Sequence, residues 1–181
     1  RKIGNTLEVE ESVEVLAGGG PQDVIDLTVE LAREMLRLAG KGDVDVAPAL
    51  KDGRAMDKWH EMIQAQGGDS HAALPVARET HVVKASKSGV LTTLDALSVG
   101  VASWRLGAGR ERKEDAVQFG AGVTLHAQQG QEVVEGQPLL TLHTDDSARF
   151  ERALASLEGG ITIEAGATAK PRNIVLDRVT A

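Results

Sequence analysis

The stretch from Val123 to His143 reads VTLHAQQGQEVVEGQPLLTLH, and it decides the fold of the second half of the chain. Short runs rich in Val, Leu and Thr alternate there with the turn residues Gly130, Gly136 and Pro138. This spacing leaves no room for a helix of ordinary length. It predicts short strands over Val123–Ala127, Gln131–Val134 and Leu139–His143.

The segments on either side extend the same β-rich pattern. Thr80–Ala85 and Gly89–Leu94 flank a short turn, which predicts a hairpin. Asp95 is a suitable N-cap for a helix that runs through Trp104. A second helix is predicted over Ser147–Leu157, and closing strands are predicted at Ile161–Ile163 and Ile174–Leu176.

Residues 1–68 follow a different, helical period. Asn5 is a suitable N-cap for a helix over Thr6–Ala17, and Glu8 can reach back to its start as in a capping box. The Gly18–Gly20 run ends that helix. Two amphipathic helices follow, and each carries an apolar stripe that needs a partner surface; they are predicted from Pro21 to Ala39 and from Asp52 or Gly53 to Gly67.

These two regimes predict an α+β chain with a helical part and a β-rich part. The Gly-rich stretch Gly67–Pro75 is the expected linker. We therefore expect one domain over residues 1–74 and a second over residues 75–181.

Composition excludes several classes of protein. The net charge is −7 and only 2% of the residues are aromatic, so we expect neither nucleic acid nor an anionic membrane as partner. No apolar run approaches the roughly 20 residues of a membrane-spanning helix. The chain has no cysteine, which excludes disulfides and thiolate sites and makes the cytoplasm the expected compartment.

Glu11 stands on one helical face between Leu7 and Val15. A carboxylate in such a position is partly buried and needs a cation or several hydrogen bonds. Its oxygens suit a hard metal ion such as Na⁺, K⁺, Mg²⁺ or Ca²⁺. The alternative is an ordinary solvated acidic turn, and the spacing by itself does not decide between them.

A second candidate segment runs from Gly107 to Lys113. Its glycines and basic residues could close over an anion, because backbone N–H groups and Arg bind phosphate well. It lacks a phosphate-loop motif, so an exposed loop after a helix end remains the alternative. The five histidines are scattered, and no pair has the i, i+4 spacing of a helical zinc site.

Taken together, several motifs resemble the C-terminal half of the thymidine and pyrimidine-nucleoside phosphorylases. In the helical part these motifs are Gly4–Val9 with Glu11, Gly18–Pro21, Glu34–Leu36 and Ala65–Asp69. In the β-rich part they are Gly89–Val90, Asp95–Gly100, Leu106–Arg110 and Gly130–Leu139. The match extends over nearly the whole chain, although it is looser after residue 145.

This resemblance implies a fold and an activity. Members of the phosphorylase family are homodimers that cleave thymidine or uridine with phosphate, giving a free base and a (deoxy)ribose 1-phosphate. It implies that residues 1–74 are the helical tail of an α/β domain and that residues 75–181 form a β-sandwich-like, barrel-sandwich hybrid domain with helices. The family's phosphate and pyrimidine ligands lie upstream of the matched region. We therefore expect no catalytic residue in this chain, and no activity from it alone.

The resemblance also implies roles for two sites. The family requires no organic cofactor, but some members bind K⁺ through a Glu that matches Glu11 and a backbone carbonyl near Lys2. The segment Gly107, Ala108, Gly109 and Arg110 resembles a loop that orders beside the active site as the domains close.

Two other functions remain as alternatives. Biotinyl and lipoyl carriers use a related β-sandwich, and Lys87 is the only candidate for the modified lysine, although its serine neighbours are atypical. The chain could also be an interaction module with an exposed apolar helical face.

Overall fold

The computed structural model describes residues 1–168 and 173–179. These residues form two compact units. The first comprises residues 1–9 and 74–168, and the second comprises residues 10–73 and 173–179. Both helices and antiparallel sheets are present, which confirms the predicted α+β class.

The strands lie in the first unit and form two antiparallel sheets. In chain order they are β1 (Lys2–Gly4), β2 (Glu79–Lys84), β3 (Gly89–Leu94), β4 (Gly122–Leu125), β5 (Glu132–Val133), β6 (Pro138–Thr144) and β7 (Ile161–Glu164). One sheet has the order β1-β4-β6-β2, and the other has the order β5-β3-β7. The stretch from Val123 to His143 thus supplies nearly all of β4, β5 and β6, as predicted.

The helices begin and end close to the predicted positions. They are α1 (Thr6–Leu16), α2 (Gln22–Leu38), α3 (Arg54–Ala65), α4 (Ala96–Ser103) and α5 (Arg149–Leu157). Asp95 caps α4, since its carboxylate accepts a hydrogen bond from Ser98 N at 2.7 Å. Glu8 reaches back as expected, but it accepts from Gly4 N at 2.9 Å rather than from Asn5.

A single hydrophobic cluster holds the first unit together. The two sheets both contribute side chains of zero exposure, such as Leu91 on one and Leu140 and Leu142 on the other. Val99 of α4 and Leu157 of α5 complete the cluster. Burying a side chain of this size stabilises a fold by about 1.5–3 kcal/mol, so this cluster dominates the stability of the unit.

The predicted β2–β3 hairpin is wrong. β2 pairs with β6, whereas β3 pairs with β5 and β7 in the other sheet. Ala85 still hydrogen-bonds beside β6, since its N donates to Gln137 O and its O accepts from Gly136 N, and the chain crosses to the other sheet after it. Gly89 then passes so close to β7 that a Cβ there would lie 2.6 Å from Glu164 O.

The second unit is helical and less completely buried. Val15 and Val29 are buried, but the apolar stripe of α2 includes Leu31 at 52% and Met35 at 64% exposure. The closing strand predicted at Ile174–Leu176 is wrong, because these residues have no strand pairing. No helix among residues 1–168 and 173–179 is both long and apolar enough to cross a bilayer.

Candidate functional site

The segment Gly107–Arg110 follows directly from α4. A π-helical turn over Trp104–Ala108 ends that helix at Gly107, which has φ +110° and is buried. A Cβ at Gly107 would lie 2.9 Å from Gln118 Cδ. Backbone conformation and space therefore both call for glycine here.

Gly109 and Arg110 lie against an indole ring. A Cβ on Gly109 would meet Trp104 Cδ1 at 2.6 Å, so the backbone passes too close to the indole edge for a larger residue. Trp104 Nε1 donates to Arg110 O at 2.9 Å. The backbone of Arg110 is thereby fixed while the residue itself is exposed, as a group that receives an anion from solvent must be.

The next residues form a tight acidic turn. Asp115 Oδ2 accepts hydrogen bonds from Glu111 N at 3.2 Å and Arg112 N at 2.8 Å. Glu111 also forms a 2.7 Å ion pair with Arg152 on α5. This exposed pair contributes little energy, but it ties the middle of the segment to a helix.

Sequence reasoning missed three residues that hold this segment. Besides Trp104 and Gln118, these include Asn5, whose Nδ2 donates to Ala108 O at 2.7 Å. The bond joins residues 103 apart in the chain. No local pattern could have revealed it; the only signal was that Asn5 also belongs to the Gly4–Val9 motif.

The two residues of the expected cation site lie in separate units. Glu11 is on α1 and is buried, with 8% of its surface exposed. Lys2 lies in β1 opposite Thr124 of β4. Within the described ranges 1–168 and 173–179, no group of three or more His, Asp or Glu side chains is arranged to hold a metal ion.

The histidines form pairs unlike a zinc site. His60 and His71 stack with ring centroids 4.8 Å apart. His126 Nε2 lies 2.7 Å from Thr141 Oγ1, and His143 Nε2 lies 3.0 Å from Thr124 Oγ1. The last two contacts lie across β4 and β6, so these histidines support strand pairing.

Lys87 does not sit on a hairpin. The strands on either side of it belong to different sheets, so the turn that carries it is a crossover. A carrier domain needs its modified lysine on a tight hairpin, and the structure gives that function no support.

Most of the first unit matches the sequence model of a known domain family. Residues 90–164 match the model of the pyrimidine nucleoside phosphorylase C-terminal domain. The match covers nearly all of β3, the whole of α4, the Gly107–Arg110 segment, strands β4 to β7 and α5, whereas β1 and β2 lie outside it. This part of the chain is therefore similar to the C-terminal domain of pyrimidine nucleoside phosphorylases.

Curated relatives extend the similarity to nearly the whole chain. A thymidine phosphorylase of Mycobacterium tuberculosis is 48% identical over 179 residues, which cover 99% of this chain and 42% of the relative. Pyrimidine-nucleoside phosphorylases of Staphylococcus epidermidis and Bacillus subtilis are 38% and 36% identical, over 90% and 92% of this chain and 40% and 41% of the relatives. The chain thus spans less than half the length of these relatives and is similar to their C-terminal part.

Proposed function

We propose that this chain acts as the C-terminal part of a pyrimidine-nucleoside phosphorylase. The reaction is cleavage of thymidine or uridine by phosphate to a free base and a (deoxy)ribose 1-phosphate. The observation that carries the proposal is the 48% identity over 179 residues to a thymidine phosphorylase. Phosphate and the nucleoside bind to the intact enzyme, and their catalytic ligands lie outside these 181 residues.

The contribution of this chain is the Gly107–Arg110 segment. It is held at its ends and on an indole ring, and it presents the exposed Arg110. In the intact enzyme this segment closes on the active site. Closure excludes water, which would otherwise compete with phosphate for the glycosidic carbon.

The domain proposal follows from the sequence division and the core. We propose a barrel-sandwich hybrid over residues 75–181 and the tail of an α/β domain over residues 1–74, except that β1 joins a sheet of the first unit and residues 173–179 belong to the helical unit. Support for the sandwich is that both sheets bury side chains in one cluster.

Glu11 is the residue proposed to bind K⁺. A buried carboxylate fits the chemistry, since its oxygens are hard ligands and its charge requires compensation. The backbone carbonyl of Lys2 is proposed as the second ligand by resemblance alone. K⁺ would supply positive charge to the carboxylate and take no part in bond cleavage.

The K⁺ proposal is tested by thermal unfolding in potassium chloride against choline chloride at equal ionic strength. An ion that binds only the folded state, and is present at a concentration of about 100 times its Kd, stabilises that state by about 2.7 kcal/mol. The Tm should therefore be higher in potassium chloride than in choline chloride. Glu11→Gln should abolish this rise, whereas Glu10→Gln, an exposed neighbour on α1, should not. Equal Tm values in both salts would contradict the K⁺ site.

We also propose a cytoplasmic homodimer for the intact enzyme. The dimer rests on the resemblance, and light scattering of the intact polypeptide measures it. The compartment rests on the lack of cysteine, and the net charge of −7 disfavours nucleic acid as a partner.

The proposed activity is tested with the intact polypeptide, thymidine or uridine, and phosphate. Chromatography should detect free base and sugar 1-phosphate in equal amounts. Without phosphate, base release should stop. Base release that is independent of phosphate would indicate hydrolysis and overturn the proposal.

A further inference from the structure

The segment 108–119 is a loop of the first unit, and its two ends are attached at one place. At its start, Ala108 O accepts from Asn5 Nδ2 at 2.7 Å. At its end, Phe119 O accepts from Thr6 N at 3.1 Å and from Thr6 Oγ1 at 2.8 Å. Both ends are therefore fixed to the junction between β1 and α1.

The two ends are also joined to each other. Gln118 N donates to Gly107 O at 2.9 Å. A loop with adjacent ends and internal bonds of its own is an Ω-loop, typically about 6–16 residues long. The bonds of Asp115 to Glu111 N and Arg112 N are such internal bonds. The segment is therefore a closed loop whose two ends meet and whose middle carries hydrogen bonds of its own.

The bond from Asn5 is directional. Ala108 O can only accept, so the partner must be the NH₂ group of the Asn5 amide. The contact is partly buried, and replacing the donor would leave the carbonyl without its protein partner in a partly dry place. The Thr6 end differs, since its backbone bond survives any change of side chain.

We propose that Asn5 is a positioning residue for the 108–119 loop. Its amide holds the start of the loop at the β1–α1 junction, so that Arg110 is presented in one arrangement before closure. The inference rests on the proposed function, because it assigns a use to the loop in phosphorolysis. It adds that α1, which also carries Glu11, begins at the point where the loop is attached.

The first test measures hydrogen exchange in the chain itself, and it does not depend on catalysis. Asn5→Ala should speed exchange in peptides covering 108–119 by about fivefold to tenfold, the effect of losing one hydrogen bond. Peptides from β6 should exchange as in the wild type. Asn173→Ala, the same change at an exposed position in the other unit, is the matched control and should change neither.

Each other outcome overturns the inference. Unchanged exchange in 108–119 would show that the bond does not hold the loop. Equal acceleration in β6 would make Asn5 a residue of general stability. If Asn5→Ala does not fold, Asn5→Asp keeps the side-chain shape and removes the donor; loss of folding in both variants would also point to general stability.

The second test measures steady-state kinetics of the intact enzyme. In Asn5→Ala the loop is no longer held in place, so part of the substrate binding energy is used to order it. This variant should therefore have a higher KM for phosphate or nucleoside and a kcat/KM about tenfold lower. Asn173→Ala should leave both constants unchanged. Wild-type kinetics in Asn5→Ala, together with faster loop exchange, would overturn the role in the reaction. No phosphorolysis by the wild type would instead refute the proposed function and leave the exchange result standing.

Discussion

Gly107 is the residue with the clearest backbone requirement. An alanine there must adopt φ +110°, and its Cβ would lie 2.9 Å from Gln118 Cδ. Gly107→Ala should therefore lower the free energy of unfolding of the first unit by about 1–3 kcal/mol. Urea unfolding followed by Trp104 fluorescence measures this, in a Trp59→Phe background that removes the signal of the second unit.

Gly100 is the matched control for that change. It lies in α4, and a Cβ there meets nothing within 4 Å. Gly100→Ala should raise the free energy of unfolding by about 0.5–1 kcal/mol, since glycine is costly inside a helix. A destabilisation equal to that of Gly107→Ala would contradict the account of both positions.

Asp95 makes the stability of the first unit depend on pH in acid. Hydrogen bonds from the backbone N–H and then the hydroxyl of Ser98 lower the pKa of its carboxyl below the usual 3.8. A lowered folded-state pKa stabilises the fold above pH 3.8, and this contribution is lost as pH falls through the folded value. The gap in unfolding free energy between wild type and Asp95→Asn should therefore close toward low pH. A gap that stays constant from about pH 6 to pH 2 would contradict this assignment.

At the scale of elements, the positions of the helices could be predicted from the sequence, whereas the pairing of the strands could be predicted only in part. Asp95, the Gly18–Gly20 stop and the apolar periods act within a few residues, so they placed the helices. The partner of β2 depends on contacts with β6, more than 50 residues away by number, and the local turn misled. The helix end at Gly107–Gly109 was predicted for the same reason, whereas the attachment of the following loop to Asn5 was not visible.

The apolar stripe of α2 exposes four large apolar side chains to solvent. Leu27, Leu31, Met35 and Leu38 are spaced on one helical face and are 39–76% exposed. Such a patch binds hydrophobic dyes. The double change Leu31→Glu with Met35→Glu should reduce ANS fluorescence of the chain by about half.

Leu97 provides the control for the stripe. It is 75% exposed on α4, in the other unit. Leu97→Glu should leave ANS fluorescence nearly unchanged, because single exposed apolar residues are ordinary. An equal loss in both variants would show that the dye does not report the α2 stripe.

At the scale of the whole molecule, we expect the chain to contain what it needs to fold but not what it needs for the proposed activity. The first unit has a complete core, as its fully buried Leu91, Leu140 and Leu142 show. The proposed phosphorolysis, in contrast, uses phosphate and base ligands that the family resemblance assigns to a region outside these 181 residues. The chain should therefore fold without being active.

Incubated with thymidine and phosphate, this chain alone should release no thymine. The expected reason is that the residues proposed to bind phosphate and base lie outside these 181 residues. Without them, the loop that carries Arg110 has no bound substrate to close on. The chain should be produced in a host strain that lacks its own thymidine phosphorylase, with the intact polypeptide as positive control. Thymine release by the chain that Arg110→Ala abolishes would place catalytic groups within it and contradict this division of roles. Release that is unaffected by Arg110→Ala would also contradict it, and would locate the active groups away from the loop.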